Sequence, residues 1–138
     1  MRKRVLFLCT GNSARSQMAE GLLRSLAGDR FEVESAGTQP AGLNPGAVDA
    51  MHEIGIDIAH HRSKRIDEFL NQHFHYVITV CDRAKESCPI FPAASSIVHW
   101  SFVDPSTAQG SDAERMTVFR RTRDEIAERV RRFLVEEI

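Results

Sequence analysis

The sequence predicts an α/β domain with a central four-stranded, mostly parallel sheet flanked by helices. Three observations carry that expectation. Residues 5–8 (VLFL) and 76–80 (YVITV) are continuous apolar runs of the length found in strands buried on both faces of a sheet. Segments with apolar residues at three- and four-residue spacing separate the strand candidates, and strands alternating with helices imply a parallel sheet. No internal repeat, low-complexity tract or linker rich in Pro, Gly and Ser interrupts the pattern, so one domain is expected to span residues 1–138.

The elements follow in order. Gly11, Asn12 and Ser13 end the first run, and from Ser16 the positions Met18, Ala19, Leu22, Leu23 and Leu26 form a helical stripe stopped by Gly28. Residues 31–35 alternate apolar and polar as a strand does, and 37–46 is a loop rich in Gly and Pro. Pro45 opens a helix through Ala47, Val48, Met51 and Ile54, ended by Gly55. A short helix over 66–70 precedes the strand 76–80, and a weaker strand covers 96–100. Segment 111–138 repeats Val118, Ile126, Val130, Phe133 and Leu134 at helical spacing. In such sheets ligands bind beyond the carboxyl ends of the strands. Cys9 and Cys81 each directly follow a buried-strand candidate, so both thiols are expected at one edge.

Composition narrows the function. A chain of 138 residues can bury its own core without disulfide or metal staples. A formal net charge of −1 gives no global field for nucleic acid or an anionic membrane surface, so any anion specificity must be local. No segment approaches the ~20 apolar residues needed to cross a bilayer. The basic N-terminal tip precedes an apolar run far too short for a secretory signal, and a cytoplasmic protein is expected. In that reducing setting three cysteines, an odd number, point to reactive thiols before a structural scaffold.

The segment Cys9-Thr10-Gly11-Asn12-Ser13-Ala14-Arg15-Ser16 places a cysteine six positions before an arginine, between a strand and a helix. Such a loop can curl round a tetrahedral oxyanion with successive backbone N–H groups pointing inward. Gly11 lets the backbone bend, and the helix beginning near Ser16 adds its unpaired N–H groups and positive dipole end. Arg15 supplies a planar fork that grips two oxygens at once. The same field favours the thiolate of Cys9 beneath the anion. Asn12, Ser13 and Ser16 carry side chains able to pin the loop or hydrogen-bond the sulfur.

Downstream, Asp104 stands before Pro105, which fixes its own φ and pushes Asp104 out of helical conformation. By itself the dipeptide is an ordinary turn; a carboxylic acid held over an oxyanion could also protonate a leaving oxygen. Cys81 and Cys88 are joined by a polar stretch able to rearrange. They are either two structural cysteines, or thiols that attack in turn: Cys81 on an adduct at the Cys9 sulfur, then Cys88 on Cys81. Metal binding lacks a close Cys-x-x-Cys pair.

The loop resembles the active-site loop of low-molecular-weight protein tyrosine phosphatases and of the arsenate reductases sharing their fold. CTGNSARSQMAEG is most similar to the reductase version, and the resemblance covers essentially the whole chain. It implies arsenate as substrate, with phosphate or sulfate competing, bound by Thr10, Gly11, Asn12, Ser13, Ala14, Arg15 and Ser16. It implies Asp104 as general acid and a three-thiol relay. Cys9 forms a thiol–arsenate adduct, Cys81 displaces arsenite as a disulfide with Cys9, and Cys88 takes over that disulfide and presents it to thioredoxin or a similar thiol donor. No tightly bound cofactor is required, and a monomer is expected. Phosphatases of this fold usually follow the Asp-Pro with tyrosine, which lines the entrance for an aryl phosphate. Here Ser106 and Thr107 follow, and the single tyrosine, Tyr76, lies in a predicted strand. Hydrolysis of phosphomonoesters is the nearest alternative activity, and an oxyanion or redox sensor without turnover is the alternative from another class.

One position departs from the family pattern. Some members bind potassium near the loop through residues matching Asn12, Glu20 and Ser35 with an acidic residue where this chain has Lys64. Like charge excludes that cation, so no metal is expected, and the ammonium substitutes for it. The six histidines are not expected to act as ligands or bases, although His60 and His61 are candidates for the entrance. Arg115, Arg120, Arg121, Arg123, Arg129, Arg131 and Arg132, interspersed with acidic residues, read as a solvated helix face with ion pairs at i, i+4.

Overall fold

The computed structural model describes residues 2–82, 91 and 94–136. The chain alternates strand and helix: β1 (Lys3–Cys9), α1 (Arg15–Ala27), β2 (Phe31–Gly37), α2 (Pro45–His52), a 3₁₀ turn (Ile66–Phe69), β3 (Phe74–Thr79), β4 (Ala94–His99), a second 3₁₀ turn (Pro105–Thr107) and α3 (Asp112–Glu136). The four strands form one sheet in the order β2-β1-β3-β4, parallel throughout. The predicted α/β class with a four-stranded parallel sheet is the observed one.

The apolar runs bury both faces, as a sheet covered on both sides requires. On one face Val5, Phe7 and Cys9 pack with Met18, Leu22 and Leu23 of α1 and with Ile126, Val130 and Phe133 of α3. Trp100 joins them, its ring 5.7 Å from Phe7 and 5.9 Å from Phe133. On the other face Leu6 and Leu8 pack with Ala36, Ile66, Phe69, Phe74, Val77 and Phe91. Among the described residues no helix is long and apolar enough to cross a membrane.

Several boundaries differ from the sequence reading. α2 stops at His52, because Glu53 caps it and Gly55 takes a left-handed φ of 80°; Ile54, expected on its apolar stripe, is exposed. β2 runs on through Gly37, which the sequence assigned to a loop. β3 begins two residues earlier than the apolar run, at Phe74. The arginine face of α3 is a correction. Arg123 is buried and donates to the Ala50 carbonyl at 2.8 Å and to Glu53 at 3.0 Å. Arg120 grips the same Glu53 through Nε and Nη2. Two of the arginines therefore clamp α3 to the end of α2, and Arg123 also pairs with its neighbour Asp124 at 2.9 Å.

Candidate active site

Register decides what meets at the carboxyl edge. Cys9 pairs with Gly37 across β1 and β2, and Leu8 pairs with Thr79 across β1 and β3. The Val80 N–H donates to the Leu8 carbonyl at 2.9 Å, so Cys81 leaves the same edge one residue further on. Both cysteines are buried. Cys9 is a free thiol, whereas Cys81 is disulfide-bonded. Cys88 lies outside the described residues.

Between β1 and α1 the loop closes on the Cys9 sulfur. The Asn12 N–H donates to Sγ at 3.2 Å, and the Ser16 hydroxyl lies 2.8 Å from it. Asn12 adopts φ 45°, the left-handed region that asparagine tolerates better than most residues. Its Nδ2 donates to the hydroxyls of Ser16 at 2.8 Å and Ser35 at 2.9 Å.

Each carbonyl from Thr10 to Ala14 is held. Those of Thr10, Gly11, Ser13 and Ala14 accept from the backbone N–H groups of Gln39, Ala41, Asn44 and Met18 at 2.9–3.0 Å. The Asn12 carbonyl instead accepts from two side chains, Gln17 Nε2 at 3.1 Å and Ser63 Oγ at 2.6 Å. A trans peptide is planar, so a carbonyl tied outward commits the next N–H to the opposite side. The loop is thus a cradle of N–H groups from Gly11 to Arg15. α1 continues it: Ala14 at its N-cap offers no side-chain acceptor, leaving first-turn N–H groups for an anion.

Gly37 makes this closure possible. A Cβ there would stand 2.5 Å from the Thr10 carbonyl oxygen, 2.8 Å from that of Cys9 and 2.9 Å from the Asn12 nitrogen.

A cavity of about 410 Å³ opens over the loop. Cys9, Thr10, Gly11, Ser13, Ala14 and Arg15 form its floor, and Gln39, Ala41, Asp82, Val103, Asp104, Ser106 and Thr107 its walls. Among the described residues none that lines it is aromatic. Arg15 is buried; its Nη1 donates to the Phe102 carbonyl at 3.2 Å and its Nη2 lies 3.6 Å from Asp104 Oδ2. Asp104 caps the second 3₁₀ turn: Oδ1 accepts from the Ser106 N–H at 3.0 Å and from its hydroxyl at 2.7 Å. Its other oxygen is left on the side of the arginine.

Asn12 and Ser16 stand behind this floor, fully buried. So does a cluster around Glu20, whose Oε1 accepts from the Ser35 hydroxyl at 2.5 Å and lies 3.7 Å from Lys64 Nζ, while Oε2 is 2.7 Å from Arg24. His61 belongs to this cluster and not to the entrance. Its Nδ1 is 3.0 Å from Gln17 Oε1, and burial, the larger effect, holds its imidazole below the usual histidine range despite Glu20. Among the described residues no group of three His, Cys, Asp or Glu side chains gathers as a metal site would need. Sequence reasoning missed Gln17, Ser63, Gln39, Ala41 and Asp82. Asp82 could have been suspected from its place beside Cys81; the others contribute through backbone groups, a distant hydroxyl or a buried amide, which leave no pattern in a sequence.

Comparison with known proteins agrees with this geometry. An arsenate reductase of Halalkalibacterium halodurans is 51% identical over 134 residues, covering 96% of each chain. A solved structure described as an arsenate reductase in the oxidized state superposes with a TM-score of 0.81 at 30% identity, over 97% of this chain and 98% of that one. The thioredoxin-dependent arsenate reductase of Corynebacterium glutamicum superposes with a TM-score of 0.73 at 28% identity, over 98% of this chain and 61% of that longer one. Residues 4–138 match the family described as low molecular weight phosphotyrosine protein phosphatase, and the chain belongs to that family.

Proposed function

We propose that this protein reduces arsenate to arsenite through a relay of Cys9, Cys81 and Cys88, with thioredoxin or a similar thiol donor restoring the thiols. The observation that carries the reading is the pair of cysteines at one sheet edge, Cys9 free on the floor of an N–H cradle and Cys81, disulfide-bonded, leaving the same edge.

Arsenate enters with its oxygens on the N–H groups of the loop and on the Arg15 fork. The Cys9 thiolate attacks arsenic, and Asp104 protonates the departing oxygen, which leaves as water. Cys81 then attacks the Cys9 sulfur. The new disulfide takes its sulfur from the adduct, the sulfur–arsenic electron pair stays on arsenic, and As(V) leaves as As(III) arsenite. Cys88 attacks Cys81 and frees Cys9, leaving a disulfide for the external donor to reduce. Phosphate and sulfate share the tetrahedral shape and compete. No tightly bound cofactor enters these steps, and the working protein is a monomer in the cytoplasm. The ammonium of Lys64, 3.7 Å from the Glu20 oxygen that accepts from Ser35, takes the place of a bound cation.

Slow hydrolysis of phosphomonoesters is a second reading, because Cys9, Arg15 and Asp104 suffice for it. The lack of an aromatic side chain among the described residues of the cavity wall argues against phosphotyrosine as the main substrate.

The test is arsenate-dependent NADPH oxidation with thioredoxin and thioredoxin reductase, for wild type and for Cys9→Ser, Cys81→Ser and Cys88→Ser. Turnover by wild type alone supports the relay. Hydrolysis of p-nitrophenyl phosphate without arsenate turnover, sensitive only to Cys9→Ser, would replace it with a phosphatase.

A further inference from the structure

We infer that Gln17 is a positioning residue: its side-chain amide, with Ser63, fixes the Asn12–Ser13 peptide so that the Ser13 N–H faces the anion. The inference rests on the reading of the loop as an oxyanion cradle under Cys9.

Four of the five held carbonyls in the loop are tied by backbone N–H groups, which a side-chain substitution leaves in place. The Asn12 carbonyl is tied by the Gln17 amide and the Ser63 hydroxyl. Gln17 is fully buried at the start of α1, where a polar side chain persists only if its hydrogen bonds are made. They are. Nε2 also lies within donating distance of Asn12 Oδ1 at 3.0 Å and of the Arg62 carbonyl at 2.9 Å, and Oε1 faces His61 Nδ1 at 3.0 Å. The Lys64 N–H donates to the same Asn12 Oδ1 at 2.8 Å.

The amide therefore holds both oxygens of the one non-glycine residue with positive φ among those described. Asn12 is also the residue whose N–H reaches the Cys9 sulfur and whose side chain reaches Ser16. Left-handed backbone is disfavoured for a residue with a Cβ, so without those restraints the Asn12–Ser13 peptide is free to turn over and present a carbonyl to the anion. The cradle would then lose a donor and gain a repulsive oxygen.

The experiment uses the full chain carrying Cys81→Ser and Cys88→Ser, so that iodoacetamide reports Cys9 alone. Gln17→Met keeps the volume and removes the donor; Ser63→Ala, at a half-buried position, removes the other. Inorganic phosphate is the probe, its Kd read from protection of Cys9 against alkylation, and the pH profile of alkylation is followed with and without it. The expected result is a phosphate Kd higher by on the order of tenfold in Gln17→Met and an alkylation profile displaced to higher pH, with a smaller change of the same sign in Ser63→Ala. A Gln17→Met protein that melts earlier but keeps the parental Kd and pH profile would overturn the inference and leave Gln17 a core residue. If Gln17→Met does not fold, Ser63→Ala decides: a raised Kd supports the inference and an unchanged one overturns it. These readouts need no arsenate turnover, so failure of the proposed reductase activity would be seen separately, in the wild-type protein with all three cysteines.

Discussion

The hydroxyl of Ser16 lies 2.8 Å from the sulfur of Cys9, and Asn12 Nδ2 donates to that hydroxyl at the same distance. Because Asn12 supplies the hydroxyl oxygen with a donor, the hydroxyl proton is free to point at the sulfur and donate to it. Replacing Ser16 with alanine should slow arsenate turnover on the order of tenfold while leaving the melting temperature within a few degrees, measured by coupled NADPH oxidation and thermal denaturation.

Arg15 is buried with its guanidinium divided between the Phe102 carbonyl and Asp104. A lysine would keep the charge and lose the fork. Arg15→Lys should lower kcat/KM for arsenate by roughly a hundredfold, read from initial rates over a substrate series. A loss below threefold would show that the fork geometry is unimportant.

Gly37 touches the back of the cradle so closely that a single methyl group displaces it. Gly37→Ala should destabilise the protein by about 1–3 kcal/mol in urea unfolding and abolish protection of Cys9 by phosphate. Retention of protection would mean that the loop accommodates the methyl group.

The cluster behind the cradle predicts an ion effect. With Lys64 at 3.7 Å from Glu20, denaturation midpoints in potassium and sodium chloride at equal ionic strength should coincide. Lys64→Asp removes the ammonium and adds a carboxylate, and its midpoint should rise in potassium. A wild-type midpoint that rises in potassium alone would refute this.

Glu53 gives a pH-dependent test of the clamp between α2 and α3. Hydrogen bonds from Arg120, then from Arg123, hold its carboxyl down at about 2. In the unfolded chain it titrates near about 4.3. The folded value is the lower one, so the clamp's contribution is present above about pH 4.3 and lost as pH falls through about 2. Glu53→Gln should therefore melt below wild type at neutral pH, with the gap closing as the pH approaches 2.

The fold and the centre of the site were readable where local chemistry is strong. Runs 5–8 and 76–80 suit strands buried on both faces, and the order of strand, Cys9, Gly11, Arg15 and helix suits a loop that grips an anion. What escaped the sequence depends on distant partners. Gln17 sits among the helical positions of α1, and nothing local says that its amide turns back to Asn12. Arg123 shares the spacing of its exposed neighbours, and its burial is decided by the end of α2, 70 residues earlier. Ile54 fits the apolar stripe of α2, but the turn at Gly55 removes it from the core.

The cradle's carbonyls from Thr10 to Ala14 are each tied to a residue between 17 and 63, and among the described residues no such tie comes from the segment after β3, where Cys81 and Asp82 stand. On the proposed relay, anion capture and electron export are therefore carried by separable stretches of chain. A designer, or a lineage drifting under selection, could exchange the stretch between β3 and β4 for one with other chemistry and inherit the grip on tetrahedral anions intact.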